Sequence, residues 1–197
     1  MDVEVVLFDG FDELDGVGPY EVLAQAAEFG ADLSVRTVTL EPAERVEAAH
    51  GLRIEPDGVL GEPDLLVVPG GGWATGERGV RVEVESGDLP EAVAARHEAG
   101  STVTSVCTGA MVLAEAGLLD GRPAATHPVA FEDLEAITER LDVRVVDDGD
   151  VLTAGGVTSG IDLALHLLER EFGADVADAV AENMVYERRG DVHVTRR

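Results

Sequence analysis

A predicted buried strand that runs directly into a predicted buried helix limits the possible folds of this chain more than any other feature. Val103–Val106 predicts a short buried strand, and the apolar residues from Thr108 onward predict a buried helix. Cys107, the only cysteine of the chain, lies at the junction. A side chain on such a turn is lifted off the sheet and held at the helix N-terminus, where free N–H groups favour an anion. The position predicts a nucleophilic thiolate, and the alternative is a small, buried, apolar cysteine.

The alternation of short strands and helices extends along the whole chain. It predicts an α/β fold, a three-layer sandwich with a mostly parallel sheet between helices. No linker or repeat interrupts residues 1–197, so we expect one domain, with a loose polar tail from about residue 186 to 197. In the first helix we expect Pro19 at the first position, after Gly18 as N-cap. Predicted strands cover 3–8, 33–40, 65–68, 103–106, 143–146 and 151–154, with a hairpin at 46–54, and predicted helices cover 19–29, 89–99, 131–140, 161–172 and 174–185.

The charge of the chain excludes several classes of partner. Asp and Glu together number 40 against 14 basic residues, all of them arginine, and the formal net charge is −26. Such a surface repels nucleic acid and anionic membranes, so we expect neither as a partner. Because high salt screens the repulsion within the chain, the composition predicts a halophilic protein. The single cysteine, and a start (MDVEVVLFDG) unlike a signal peptide, predict a reducing, cytoplasmic location.

Four predicted loops meet at one edge of the sheet, because binding sites of parallel α/β sheets lie at the carboxyl ends of the strands. The loops hold Asp15, Gly70–Gly72, Cys107 with Thr108, and Thr126 with His127. Asp15 is a candidate proton acceptor for a thiol. The backbone N–H groups of Gly71 and Gly72 are candidates to stabilise an oxyanion, and His127 is a candidate partner that would make the thiolate.

Each candidate also has a structural alternative. On spacing alone, Asp15 is better explained as a solvated carboxylate or a helix-start residue. The glycines are also explained as a turn, and His127 is equally explained as a hydrogen-bonded residue at a strand end. Trp73 follows the glycines, and a single aromatic residue does not distinguish a pocket wall from a packing contact. Phosphate-loop and dinucleotide fingerprints are absent and the histidines are scattered, so neither a metal nor a cofactor is expected.

Four stretches, spread over nearly the whole length of the chain, carry a family resemblance. They are Leu14–Leu23 (LDGVGPYEVL), Leu65–Gly72 (LLVVPGGG), Thr104–His127 (which contains VCTG) and Leu152–Glu169 (LTAGGVTSGIDLALHLLE). Together they resemble the ThiJ/PfpI superfamily, whose fold is flavodoxin-like and similar to that of the class I glutamine amidotransferases. The superfamily includes proteases, chaperones, glyoxalases, hydratases and regulator domains, so the resemblance is specific for the fold and not for one activity.

Within the superfamily, the D-x-x-G-P motif at Asp15 and the V-C-T-G motif at Cys107 are most similar to isocyanide hydratases. The resemblance implies Cys107 as the nucleophile, Asp15 as the acid that faces it, and Thr108 as the residue after the nucleophile. Val157 falls where a relative has an aliphatic residue packed beside the nucleophile turn. The implied reaction adds Cys107 to an isocyanide as a thioimidate, which water converts to an N-formamide without a cofactor or metal.

The same resemblance leaves two other functions open. Glyoxalase- or deglycase-type enzymes act on 2-oxoaldehydes; they have a histidine that matches His127 but usually a glutamate where Asp15 stands. A non-catalytic ligand or redox sensor is the second, similar to the N-terminal domain of AraC-type regulators, although no helix-turn-helix is expected after the tail. Protease-like relatives have a histidine where Thr108 stands, so peptidase activity is disfavoured. Because the superfamily generally dimerises, we expect a homodimer acting on a small molecule.

Overall fold

A mostly parallel β-sheet runs through the centre of the molecule in the computed structural model, which describes residues 1–74 and 76–195. The strands in these residues are β1 (Asp2–Val6), β2 (Ser34–Thr39), β3 (Val46–Glu47), β4 (Arg53–Ile54), β5 (Gly58–Val59), β6 (Leu65–Val68), β7 (Thr102–Val106), β8 (Val145–Asp147), β9 (Val151–Ala154) and β10 (Val192–Val194). Eight of them form the sheet in the order β10-β8-β9-β7-β6-β1-β2-β5. Only β8 and β9 pair antiparallel within this sheet, whereas β3 and β4 form a separate antiparallel pair, which confirms the hairpin predicted at 46–54.

Helices cover both faces of the sheet. In the described residues they are α1 (Glu13–Gln25), α2 (Val80–Ser86), α3 (Asp88–Glu98), α4 (Ala110–Glu115), α5 (Phe131–Glu135), α6 (Ser159–Phe172) and α7 (Ala174–Asn183), with 3-10 turns at Ala26–Phe29, Cys107–Gly109 and Pro128–Ala130. Helices α1, α6 and α7 pack together, and α2, α3 and α4 form a second group. The predicted three-layer α/β sandwich is therefore confirmed.

The central strands show why the sequence reads as it does. Every residue of β6 is buried, and so are four of the five residues of β7. An uninterrupted apolar run is what a parallel strand needs when helices cover both of its sides. Strands β6 and β7 pair in register from Leu65 with Thr102 to Val68 with Ser105, so their carboxyl ends lie side by side. The glycine loop and Cys107 follow directly from those two ends.

The first helix begins earlier than the sequence predicts. Helix α1 starts at Glu13, not near residue 19, and Asp12 is its N-cap, with a side chain that accepts the Leu14 N–H at 3.2 Å. An aspartate satisfies a free helix N–H through its side chain, which the expected cap Gly18 cannot do. Pro19 therefore lies inside the helix, in contact distance of α6, where a Cβ added to Gly160 would come within 3.1 Å of its ring. This early start places Asp15 on the first turn of α1 and not in a loop.

Two other expectations need correction, and two short elements were not predicted. The predicted loose tail is wrong for Val192–Val194, because this segment joins the sheet edge as β10, parallel to β8, and residues 196–197 of the predicted tail lie outside the described residues. The helix predicted at 131–140 ends at Glu135, and α2 and β5 were not predicted, since each is too short to show a clear period. Among the described residues, none of the helices combines the length and apolar character that a membrane crossing requires.

Candidate active site at the carboxyl ends of β6 and β7

A pocket of about 270 Å³ opens where β6 and β7 end. It brings together six of the seven site residues predicted from the sequence, and the seventh, Asp15, lies buried behind it with its carboxyl against the Cys107 thiol. The described residues that line the pocket are Asp12, Gly71, Gly72, Trp73, Ala74, Cys107, Thr108, His127, Val129 and Val157. The predicted convergence of strand-end loops thus matches the arrangement in space.

Cys107 occupies a strained backbone position just after the carboxyl end of β7. Its φ is +58°, in the left-handed region that side chains other than glycine rarely adopt, and the residue is 6% exposed. The Thr126 hydroxyl donates a hydrogen bond to the Cys107 carbonyl at 2.9 Å. Two residues on, a Cβ at Gly109 would lie 2.4 Å from the Val68 carbonyl oxygen, so only glycine lets the turn pack against β6. These contacts fix the sharp turn that lifts the sulfur toward the pocket.

Asp15 is a fully buried carboxyl group with few partners. Its Oδ2 accepts the Gly70 N–H at 3.0 Å, and Oδ1 has no hydrogen-bond partner of normal geometry among the described residues. Burial raises the pKa of Asp15 to about 8, repulsion from Asp12 adds to this, and interactions with Cys107 and Gly70 offset it only in part. At neutral pH the Asp15 side chain is therefore largely protonated and can donate as well as accept a proton.

The thiol and the carboxyl group act as one titrating pair. Burial raises the pKa of the Cys107 thiol, the charge of an ionised Asp15 raises it further, and the Thr108 N–H lowers it in part. This raised pKa is opposite in direction to the thiolate that the turn was expected to favour, because burial is its largest cause. When Asp15 holds its proton, the repulsion disappears and the carboxyl O–H can donate to the sulfur. The protonation state of Asp15 therefore shifts the pKa of the Cys107 thiol.

The glycine loop has a steric role that the sequence did not show. Gly71 and Gly72 have φ values of +119° and +66°, and a Cβ on Gly72 would stand 1.9 Å from the Arg78 carbonyl oxygen. The Gly71 N–H, expected to be free for an oxyanion, donates to Thr108 Oγ1 at 2.9 Å. In this state the Thr108 N–H, beside the Cys107 sulfur, is the donor in place for a developing negative charge.

His127 and Val157 form the opposite wall. His127 Nδ1 accepts the Val129 N–H at 3.2 Å, so the neutral ring carries its proton on Nε2. This contact caps the 3-10 turn Pro128–Ala130 and fixes the ring at the pocket rim. Val157 contributes a half-buried aliphatic side chain. Both residues therefore lie at the pocket as predicted, and neither is hydrogen-bonded to Cys107 or Asp15 by any contact recorded among the described residues.

Sequence reasoning missed three lining residues, Asp12, Ala74 and Val129, and left Trp73 undecided. Asp12 was readable as a helix N-cap, since it is an aspartate just before an acidic first turn. Among the described residues, one group has three ligand atoms close enough for a metal: Asp12, Glu13 and His50. Glu13 is already hydrogen-bonded to the His50 backbone N–H and to His50 Nδ1, each at 2.7 Å. These hydrogen bonds account for the closeness of the three residues without a metal.

Comparisons with known proteins agree with this geometry. The model of the DJ-1/PfpI family matches residues 1–170. An isonitrile hydratase of Pseudomonas putida is 35% identical over 191 residues, which cover 94% of this chain and 78% of the hydratase. The HTH-type transcriptional regulator CdhR of Pseudomonas aeruginosa is 33% identical over 190 residues, and the match spans 93% of this chain but only 54% of the regulator.

Solved structures share the fold. Drosophila melanogaster DJ-1beta superposes with a TM-score of 0.81 at 23% identity, covering 94% of this chain and 98% of that one. An AraC family transcriptional regulator from Pseudomonas putida gives a TM-score of 0.77 at 26% identity, with 93% and 98% covered. The resemblance inferred from the four motifs is therefore confirmed at the level of family and fold.

Proposed function

The chain belongs to the DJ-1/PfpI family, and within it we propose that it hydrates an isocyanide to an N-substituted formamide. The observation that carries the proposal is the buried pair of Cys107 and a protonated Asp15. An isocyano carbon needs a nucleophile and a proton at the same atom, and this pair supplies both. The similarity to an isonitrile hydratase over 94% of the chain supports the same reaction.

In the first half of the reaction, the Cys107 sulfur forms a bond to the isocyano carbon. The thiol proton leaves through the Asp15 carboxyl group, which delivers a proton to the same carbon, so the product is the thioimidate R–N=CH–S–Cys107. No electrons are gained or lost from outside. The Thr108 N–H lies beside the sulfur and stabilises the negative charge as the thiolate forms.

In the second half, water adds to the thioimidate carbon. Asp15 takes a proton from the water while the imine nitrogen gains one, which gives R–NH–CH(OH)–S–Cys107. The carbon–sulfur bond then breaks, the hydroxyl proton returns through Asp15 to the sulfur, and R–NH–CHO leaves. A carboxyl group with a pKa of about 8 suits this exchange, because it gives and takes a proton near neutral pH.

The test is formamide production by purified protein in molar salt, with an aryl isocyanide as substrate and chromatographic detection. Cys107→Ala should lower the rate by about 10³-fold or more. The matched control is Ser105→Ala, a similar truncation two residues earlier on β7, where the buried hydroxyl has no hydrogen-bond partner among the described residues. Equal activity of Cys107→Ala and wild type would overturn the proposal.

A ligand sensor is the second candidate function. The resting Cys107 thiol has a raised pKa, which is unusual for a cysteine that reacts without a trigger, and a regulator is among the relatives. The remaining alternative, a glyoxalase, is tested with methylglyoxal as a second substrate. Turnover of methylglyoxal would indicate glyoxalase chemistry and make His127 the next residue to replace. Inactivity on both substrates, with a small molecule retained through purification, would favour the sensor.

We also propose a cytoplasmic, salt-requiring homodimer. With a net charge of −26 on 197 residues, repulsion within the folded chain falls as salt shortens the Debye length to about 3 Å near 1 M. The midpoint temperature of thermal unfolding should therefore rise steadily as potassium chloride is raised from about 0.1 M to about 1 M. Light scattering in molar salt measures the oligomeric state, and a mass of one chain, 20.7 kDa, would contradict the homodimer.

A further inference from the structure

Three contacts from two residues hold Trp73 at the wall of the pocket. Its indole N–H donates to Asp133 Oδ2 at 2.7 Å, the Arg81 guanidinium lies 4.0 Å from the ring centroid, and Arg81 Nε donates to the Trp73 carbonyl at 2.7 Å. The ring is 7% exposed. Because Asp133 is on α5 and Arg81 on α2, two separate elements fix one aromatic side chain.

This locking decides what the ring offers a ligand. The only polar atom of the indole is bound to Asp133, and Arg81 covers one face, so the surface left for the pocket is the apolar remainder of the ring. Val129 and Val157 also line the pocket and add apolar surface to it. A rigid, apolar, aromatic wall contacts a flat or ring-shaped apolar group at little cost in side-chain entropy.

The charge of the pocket further limits which ligands can bind. Among the described lining residues, Asp12 is the only one that carries a formal charge at neutral pH with histidine neutral, and it is negative. Arg81 lies behind the Trp73 ring and is bound to a carbonyl oxygen. A carboxylate or phosphate on the ligand would therefore meet a like charge and no cation, so an uncharged ligand is favoured.

The volume sets the size. An apolar cavity of about 150 Å³ holds one benzene ring. A pocket of about 270 Å³ therefore has room for one ring together with the isocyano group.

We propose that Trp73, locked by Asp133 and Arg81, is the specificity-determining residue of this pocket and selects isocyanides that carry one uncharged ring. That the ligand carries an isocyano group rests on the proposed hydratase function. That it carries a ring rests on Trp73. Trp73 acts through contact with the substituent and takes no part in proton transfer.

The first experiment needs no turnover. Trp73 is the only tryptophan of the chain, so its fluorescence reports directly on this pocket. In Cys107→Ala protein, titration with p-tolyl isocyanide should change the emission with saturation. The analogue 4-isocyanobenzoate, of equal ring size but anionic, should bind at least about tenfold more weakly. Equal binding of the two ligands, or no saturable change with p-tolyl isocyanide, would overturn the proposal.

The second experiment uses kinetics in a protein with Cys107 intact. Trp73→Ala should raise KM for p-tolyl isocyanide by about 10- to 100-fold with kcat nearly constant, because a binding contact common to ground and transition states is lost. KM for methyl isocyanide should stay within about threefold, since methyl does not reach the ring. An equal loss for both substrates would show a merely structural role and contradict specificity. Trp73→Phe, which keeps an aromatic wall, covers the case in which Trp73→Ala does not fold.

The locking partner has its own matched pair of variants. Asp133→Ala frees the indole N–H and should reproduce part of the KM increase for p-tolyl isocyanide, whereas Asp133→Asn keeps an acceptor oxygen and should restore wild-type KM. Equal kinetics of both variants with wild type would remove Asp133 from the proposal. If wild type turns over no isocyanide while the fluorescence titration still saturates selectively, the hydratase function fails and the ring pocket stands.

Discussion

Two buried carboxyl groups of this protein have opposite surroundings. Asp162 of α6 is 5% exposed and accepts hydrogen bonds from Arg144 Nε at 2.7 Å, the Tyr186 hydroxyl at 3.0 Å and the Arg189 N–H at 2.9 Å. Asp15 of α1 is 0% exposed and accepts one backbone N–H, and among the described residues no arginine or histidine pairs with it. The Asp162 carboxylate therefore has several hydrogen-bond donors, whereas Asp15 has too few to stabilise a charge and keeps its proton.

The difference separates structure from chemistry. Asp162 joins the segment after α7 to the start of α6 and the chain before β8, so its partners stabilise the edge of the sheet that ends in β10. Asp15 gains nothing comparable, and a group kept in an unfavourable environment is typical of a functional site. The comparison therefore predicts that replacing Asp15 affects activity and replacing Asp162 affects stability.

The largest expected effect is on catalysis by Asp15→Asn. An amide cannot exchange a proton with the thiol or water, so kcat/KM for p-tolyl isocyanide should fall by about 10²-fold or more. The free energy of unfolding, measured by urea titration at neutral pH, should not fall, because no charge partner is lost. Full activity of this variant would remove Asp15 from the mechanism.

Asp162→Asn is the matched counterpart, and its effect is on folding. Loss of the carboxylate leaves the Arg144 guanidinium without its countercharge, and we expect the free energy of unfolding to drop by about 2 kcal/mol. The value lies below that of a fully buried pair because the Arg144 side chain is 25% exposed. Formamide production well below the unfolding temperature should be unchanged. A selective loss of activity without a loss of stability would break the comparison.

The pH dependence of stability should also differ between wild type and Asp15→Asn. The pKa of Asp15 is raised from 3.8 to about 8 on folding, so the folded state binds more protons than the unfolded state between these values. The contribution of Asp15 is therefore fully present below about pH 4 and is lost as pH rises toward 8, with a slope of up to about 1.4 kcal/mol per pH unit. Urea titrations across this range measure it as the difference between the two proteins, and a difference that is constant with pH would contradict the buried, protonated Asp15.

Backbone strain gives the smallest effect and repeats the same contrast. Cys107 and Val185 are the two non-glycine residues with positive φ among those described, at +58° and +53°. Val185 ends α7 in a Schellman-type turn, is 91% exposed and lies away from the pocket, so its strain serves no chemistry. Val185→Gly should raise the free energy of unfolding by about 0.5–1 kcal/mol and leave turnover unchanged. Calorimetry checks the first statement, and a destabilised variant would contradict it.

The sequence predicted the parts of the site that depend on local rules. The strands at 103–106, 143–146 and 151–154, the glycines after β6 and the hairpin at 46–54 follow from strand-forming runs and turn residues that lie next to each other in the chain. The rule that parallel strands place their sites at the carboxyl edge then brought Asp15, Gly71, Cys107 and His127 to one place without coordinates. The start of α1 was misplaced, because Pro19 was weighed above the stronger cap Asp12.

By itself, the sequence determined the α/β sandwich, the position of the single cysteine on its turn and the excess of negative charge, because each follows from residue order or residue count. Only the tertiary structure decided the protonation of Asp15, the engagement of the Gly71 N–H by Thr108, and the locking of Trp73 between Asp133 and Arg81. Those three depend on burial and on contacts between residues far apart in the chain, such as Trp73 and Asp133 at 60 positions, for which no local pattern exists. The resting state of the thiol follows from that burial.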